Sequence, residues 1–172
     1  MPKGAAFDAA QAEPALIDLM ERHPLPAGRA LVPGCGRAYA VVSLASTERT
    51  SLGIDIAPTA VAAAEALIAE QVLAGSKLAG RTTVREADFF ATTLTADLGG
   101  QFDLIYDCTF LCAIQPQQRE AWARQMAALM APVSRWTPPC GMPWCIRMAH
   151  LTGRGACLIG HVGATRWLSL SP

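Results

Sequence analysis

The chain has 172 residues, 52% of them hydrophobic, which suits one domain with one substantial core. Its 14 basic and 14 acidic side chains give a formal net charge of zero, which excludes an overall positive field that attracts nucleic acid or an anionic membrane. We therefore expect a small neutral or anionic substrate. We also expect the protein to be a monomer.

Cysteine spacing and apolar runs narrow the class further. The 6 cysteines form no C-x-x-C pair, so a zinc site is disfavoured and no metal is expected. No apolar run approaches the roughly 20 residues of a membrane span, and the first thirty residues lack the apolar segment of a secretory signal. These features predict a cytoplasmic protein with free thiols and no membrane contact.

Predicted helices and strands alternate along the first 132 residues. Parallel strands need crossover connections, which are usually helices. The alternation therefore indicates an α/β fold with a Rossmann-like, doubly wound parallel sheet. In chain order, the pattern predicts a helix at 14–23, a strand at 29–32, a helix at 38–46, a strand at 51–56, a helix at 58–75, strands at 82–90 and 102–107, and a helix at 115–130.

The chain changes character after residue 132. No Asp or Glu follows Glu120, and residues 133–172 show no sustained helical or alternating period. We divide the chain into a domain at 1–132 and a divergent tail, whose composition is what an altered reading frame or a retained intron gives. The fold is then incomplete at its C-terminal strands. The strand at 102–107 becomes an exposed apolar edge unless 144–149 or 156–162 pairs with it.

A glycine turn follows the first predicted strand in the stretch "LVPGCGRAY". Gly34 and Gly36 let backbone N–H groups approach a ligand without an intervening Cβ. Asp55 stands at the end of the second strand, 19 residues after Gly36, where a carboxylate can bind two ribose hydroxyls. The competing interpretation is structural: a G-x-G turn and a strand-end carboxylate need no ligand.

The next two strands end in further candidates. Asp88 suits an adenine amino group, and Phe89 suits stacking on the adenine ring, although a phenylalanine here is also an ordinary core residue. The segment from Asp107 to Ile114 is expected to form the wall nearest the reacting group. Together the candidates follow the strand order in which open α/β sheets bind ligands at their carboxyl ends.

Tyr39 separates two cofactor classes. It occupies the third glycine position of a G-x-G-x-x-G pattern counted from Gly34, where packing over a pyrophosphate requires Gly or Ala. NAD is therefore disfavoured, and a nicotinamide-dependent oxidoreductase is the weakest alternative. S-adenosylmethionine, which has an adenosine but no pyrophosphate, fits the turn better.

Four stretches carry a family resemblance: "RALVPGCGRAYAVVSLAS", "GIDIAPTAVAAA", "ADFF" and "FDLIYDCTFLCAIQPQQREAWARQM". Over about residues 29–132 the chain resembles the thiopurine S-methyltransferase and halide/thiol (thiocyanate) methyltransferase family of S-adenosylmethionine-dependent enzymes. The resemblance implies methyl transfer to a small soft nucleophile, such as a thiol, thiocyanate, sulfide or halide, with no metal. Since the donor is already activated, the protein mainly aligns the reactants and excludes water.

The resemblance also implies the site residues. Asp107 and Arg119 are the expected catalytic residues, with Arg119 attracting an anionic nucleophile or holding its polar group. The alternative for Arg119 is a solvated side chain in the first turn of a helix. The expected contacts to S-adenosylmethionine are Gly34, Cys35, Gly36, Asp55, Ile56, Asp88, Phe89 and Cys108.

Three features depart from the family pattern. Phe7 is the only aromatic residue before the glycine turn, where the family has a Trp-containing segment. Cys108 replaces a tyrosine that lines the methyl site, and it is interpreted as a structural thiol rather than a nucleophile. The tail lacks the family's closing strands. A non-catalytic product that binds an adenosyl ligand is therefore the alternative to an active enzyme.

Overall fold

The computed structural model describes residues 10–72, 76–132, 145–146 and 156–160. Six strands form one sheet: β1 (Gly28–Pro33), β2 (Arg49–Asp55), β3 (Thr82–Glu86), β4 (Leu104–Cys108), β5 (Cys145–Ile146) and β6 (Ala156–Gly160). The helices are α1 (Pro14–Arg22), α2 (Tyr39–Leu44), α3 (Pro58–Gln71), α4 (Leu94–Asp97), α5 (Phe110–Ala113) and α6 (Arg119–Leu129), with a 3₁₀ turn at Pro116–Gln118. No helix in these ranges is long and apolar enough to cross a membrane.

The strand order is β3-β2-β1-β4-β6-β5. The first four strands of this order and β6 pair in parallel, and β5 pairs antiparallel to β6. The predicted doubly wound, mainly parallel α/β sheet is therefore confirmed. β4 is not an exposed edge, because Ala156–Gly160 pairs along the whole of that strand, as in the alternative in which 156–162 pairs with it.

Several helices differ from the sequence prediction, either in their boundaries or because they are very short. The helix predicted at 58–75 ends at Gln71, and its predicted closing residue Gly75 lies outside the described residues. The helix predicted at 115–130 opens as a 3₁₀ turn at Pro116–Gln118 before α6 begins. The four-residue helices α4 and α5 were not predicted, because they are too short to show a helical hydrophobic period.

Two apolar layers cover the sheet. Alternate side chains of a strand point to opposite faces, so Ile105 joins the layer built with α6, which includes Trp122 and Met126. Leu104 and Tyr106 join the layer that holds Leu16, Val41 and Leu44. The direction of each β4 side chain therefore decides which helices it meets.

Arg29 connects β1 to the loop after α4, at the end of the sheet opposite the glycine turn. Its guanidinium donates to the carbonyls of Leu98 at 2.6 Å, Gly99 at 3.0 Å and Gln101 at 3.1 Å. The same group lies 4.4 Å from the centre of the Phe102 ring. These contacts tie the loop after α4 to β1 and leave the carboxyl ends of the strands to the site.

Candidate functional site

The two glycines of the turn after β1 serve different purposes. Gly34 and Gly36 have φ of +59° and +53°, in the left-handed region that glycine adopts readily. A Cβ on Gly34 would lie 2.6 Å from the Phe110 ring, whereas a Cβ on Gly36 would meet nothing within 4 Å. Gly34 therefore permits close packing against α5, and Gly36 borders open space.

Asp55 joins the end of β2 to this turn. Its Oδ2 accepts a hydrogen bond from the Gly36 N–H at 3.0 Å, and its Oδ1 accepts one from the Ala57 N–H at 3.0 Å. Each carboxylate oxygen can accept a second hydrogen bond, and the side chain is only partly buried. Asp55 is thus held in place while keeping capacity for a hydroxyl-bearing ligand.

Ile56 places an apolar side chain beside that carboxylate. It is 68% exposed, although large aliphatic side chains usually avoid water. In the described part of the chain, the other exposed large hydrophobic residue is Ile17, on α1. An apolar surface next to a polar anchor suits a ligand that combines a flat ring with hydroxyl groups.

Cys35 and Cys108 hold neutral thiols. Burial, reinforced by the negative charge of Asp55, raises the pKa of Cys35 to about 12. Burial and the nearby Glu13 carboxylate raise the pKa of Cys108 to about 12 as well. The thiolate is the nucleophilic form of cysteine, so neither thiol is activated. This favours the interpretation of Cys108 as a structural thiol.

Asp88 and Phe89 occupy different environments after β3. Asp88 is exposed, and its Oδ1 accepts a hydrogen bond from the Phe90 N–H at 2.9 Å. Phe89 is 4% exposed and meets the rings of Phe90 and Phe110 edge-on, with centroids 5.3 Å and 5.0 Å away. Its ring therefore has little surface for the predicted stacking, and the half-buried Phe90 is the more accessible aromatic.

Asp107 is completely buried. Its Oδ1 accepts hydrogen bonds from the N–H groups of Phe110 and Leu111, at 3.1 Å and 3.2 Å, and its Oδ2 accepts one from the Trp122 indole at 3.0 Å. Burial raises its pKa to about 6, against the lowering effect of these hydrogen bonds. This burial leaves no surface for the expected contact with the reacting groups, and the hydrogen bonds of Asp107 join α5 and α6 to β4.

Arg119 and Glu13 lie at the starts of α6 and α1. Arg119 is exposed and is the first residue of α6, as the solvated-helix alternative also requires. Glu13 was not predicted, yet its Oε2 accepts a hydrogen bond from the Tyr106 hydroxyl at 3.3 Å. Glu13 and Tyr106 are 93 positions apart in the chain. The local sequence around Glu13 shows only a helix start before Pro14.

Comparison with known proteins decides the family. The family model for thiopurine S-methyltransferase (TPMT) matches residues 3–137. The chain belongs to the thiopurine S-methyltransferase family. It is 39% identical over 126 residues to thiocyanate methyltransferase 1 of Arabidopsis thaliana, and equally to the probable thiol methyltransferase 2 of that plant. In both cases the match covers 73% of this chain and 52% of the relative, so the chain spans about half their length.

Solved structures agree on the fold of this family member. Magnesium protoporphyrin IX methyltransferase from Synechocystis PCC 6803, solved with bound S-adenosylmethionine, matches with a TM-score of 0.52 and 23% identity. That match covers 67% of this chain and 50% of the other. The sheet is therefore a class I methyltransferase sheet, as the sequence resemblance implied.

Proposed function

We propose that this chain binds S-adenosylmethionine and transfers its methyl group to a small thiol, thiocyanate or halide acceptor. One observation carries the proposal: the Asp55 carboxylate is fixed on the Gly36 N–H, with the exposed Ile56 beside it. This arrangement offers hydroxyl acceptors and an apolar face at the end of β2. An adenosine requires both.

The residues present fit the cofactor. Asp55 would hold the ribose hydroxyls with the lone pairs that Gly36 and Ala57 leave unused. Ile56 would cover one face of the adenine, and Asp88 would accept from its amino group. The open space at Gly36 leaves room for the ligand next to the turn. Phe90 replaces Phe89 here as the proposed aromatic neighbour, because Phe89 is buried.

When bound, the sulfonium cofactor supplies an already activated methyl group. The chain's own residues then need only align the acceptor and keep water away. Asp107 does so indirectly, since it fixes the N-terminal end of α5 and the Trp122 side chain. Arg119 would attract an anionic acceptor or hold the polar group of a thiol.

The proposed class of methyl acceptor is taken from the names of the relatives. Two of them are named for thiocyanate and thiol methylation, and both reactions transfer a methyl group to sulfur. Cys35 and Cys108 stay protonated beside the site, so neither of these two thiols competes with an acceptor thiolate. We propose residues 1–132 as the methyltransferase domain, acting as a cytoplasmic monomer.

The test is a calorimetric titration of the full chain with S-adenosylhomocysteine, with NAD as the control ligand. Binding of the first at micromolar concentration and no binding of NAD would support the proposal. Ile56→Ser should weaken S-adenosylhomocysteine about tenfold with no loss of stability, since about 1.4 kcal/mol of apolar contact is removed from an already exposed side chain. Ile17→Ser, at the exposed isoleucine on α1, is the matched control.

Turnover is measured separately with thiol, thiocyanate and iodide acceptors. Methylation of any of them supports the enzyme, whereas binding without methylation supports the non-catalytic alternative. A folded chain that binds neither S-adenosylhomocysteine nor S-adenosylmethionine refutes the proposal.

A further inference from the structure

The Glu13 carboxylate is directed at the carboxyl end of β4. Its Oε2 accepts a hydrogen bond from the Tyr106 hydroxyl at 3.3 Å, and its negative charge helps to raise the pKa of the nearby Cys108 thiol. Tyr106 and Cys108 lie on the same face of the strand, in the layer that includes α1. The N-terminal part of the chain thereby brings a carboxylate to the strand that adjoins the glycine turn.

This carboxylate is not used to cap its own helix. Glu13 is the N-cap residue of α1, and its backbone carbonyl accepts the N–H groups of Leu16 and Ile17 at 2.9 Å and 3.2 Å. Its side chain makes no cap hydrogen bond, although a helix N-terminus attracts negative charge. The side chain is instead held by the Tyr106 hydroxyl on β4.

The Tyr106 hydroxyl and the Cys108 thiol are both neutral. Burial raises the pKa of Tyr106 and of Cys108 above their ordinary values, with the Glu13 charge as the second cause in each case. Tyr106 therefore donates its hydrogen bond without cancelling the negative charge of Glu13, and Cys108 does not cancel it either. The Glu13 side chain is only partly buried, and a carboxylate can accept about four hydrogen bonds. Glu13 can therefore still bind a cationic donor.

The strand order indicates where a cationic donor of the ligand would lie. β1 lies between β2 and β4, so the strand that ends at Asp55 and the strand that Glu13 contacts lie on opposite sides of the strand that leads into the glycine turn. S-adenosylmethionine carries its ribose hydroxyls on one side of the sulfur and an α-ammonium group on the other. Since the exposed Ile56 extends the β2 side, the adenosine belongs there and the amino-acid end belongs towards β4.

Building on the proposed function, we infer that Glu13 binds the α-ammonium group of the cofactor. Asp55 and Glu13 then share one task, each holding one end of the ligand across the turn. The contact is a charge-assisted hydrogen bond, which is stronger than a neutral one.

The experiment compares two ligands on three proteins. S-adenosylhomocysteine has the α-ammonium group, and 5′-methylthioadenosine lacks the whole amino-acid end. Both are titrated calorimetrically into the full-length wild type, Glu13→Gln and Glu21→Gln, the last changing an exposed carboxylate on the same helix. We expect Glu13→Gln to weaken S-adenosylhomocysteine about tenfold or more. Its affinity for 5′-methylthioadenosine should stay within about twofold of the wild type, and Glu21→Gln should change neither.

Two results overturn the inference. Unchanged affinity of Glu13→Gln for S-adenosylhomocysteine means that the carboxylate does not contact the ligand, and the proposed function stands. Equal losses for both ligands mean that Glu13 only supports the fold. If the wild type itself binds neither ligand, the proposed function fails together with the inference. The wild-type titration therefore distinguishes a failure of the proposed function from a failure of the Glu13 inference alone.

Discussion

Replacing Gly34 by alanine separates a packing role of the glycine turn from a purely conformational one. The new Cβ would lie 2.6 Å from the Phe110 ring, at a residue with φ of +59°. A left-handed backbone costs alanine about 1 kcal/mol, and forcing an extra carbon against a packed ring costs about 1–3 kcal/mol more. We therefore expect Gly34→Ala to lose about 2–4 kcal/mol of unfolding free energy.

Gly36→Ala is the matched control. It has nearly the same φ of +53°, but its Cβ would meet nothing within 4 Å, so only the backbone term of about 1 kcal/mol remains. Ala38 already tolerates a φ of +66° in the same turn. Urea denaturation of the ligand-free proteins measures both losses. Equal losses, or a larger loss for Gly36→Ala, would refute the packing argument.

Two further predictions concern the buried aspartate and the opposite end of the sheet. Burial raises the pKa of Asp107 from 3.8 to about 6, so the folded chain holds this proton more tightly than the unfolded chain. Stability should therefore fall by up to about 3 kcal/mol as pH rises from about 4 to about 6. Asp107→Asn should lack this part of the slope in urea denaturation, and parallel slopes would contradict the assignment. Arg29→Met removes three hydrogen bonds to carbonyls, a loss of about 3 kcal/mol, and should lower the melting temperature by about 6–12 °C without changing S-adenosylhomocysteine affinity.

The order of the first eight predicted elements could be derived from sequence because its signals are local. Alternating apolar patterns and helix-opening prolines, such as Pro14 and Pro58, appear within a few residues of the element that they specify. Pairing between distant segments has no such signal. The strand Ala156–Gly160 joins β4 from about fifty residues away, and its composition alone does not say where it pairs.

The candidate site divides in the same way. Gly34, Gly36 and Asp55 follow from a turn and a strand end, and the structure brings them together through the Gly36 N–H and the Asp55 carboxylate. The roles of Asp107 and Glu13 depend on partners remote in sequence. Asp107 is buried against Trp122, and Glu13 reaches Tyr106. Neither contact could be read from the residues beside it.

These two acids lie on opposite faces of β4. Asp107 points to the same face as Ile105, beneath α6, where its hydrogen bonds are used to hold Phe110 and Trp122. The next residue, Cys108, points to the face of α1. A carboxylate one position later in the strand would therefore face the layer from which Glu13 contacts β4. Sequence reasoning identified a strand end that carries an acid, but the face of the strand decides whether that acid supports the fold or remains accessible to a ligand.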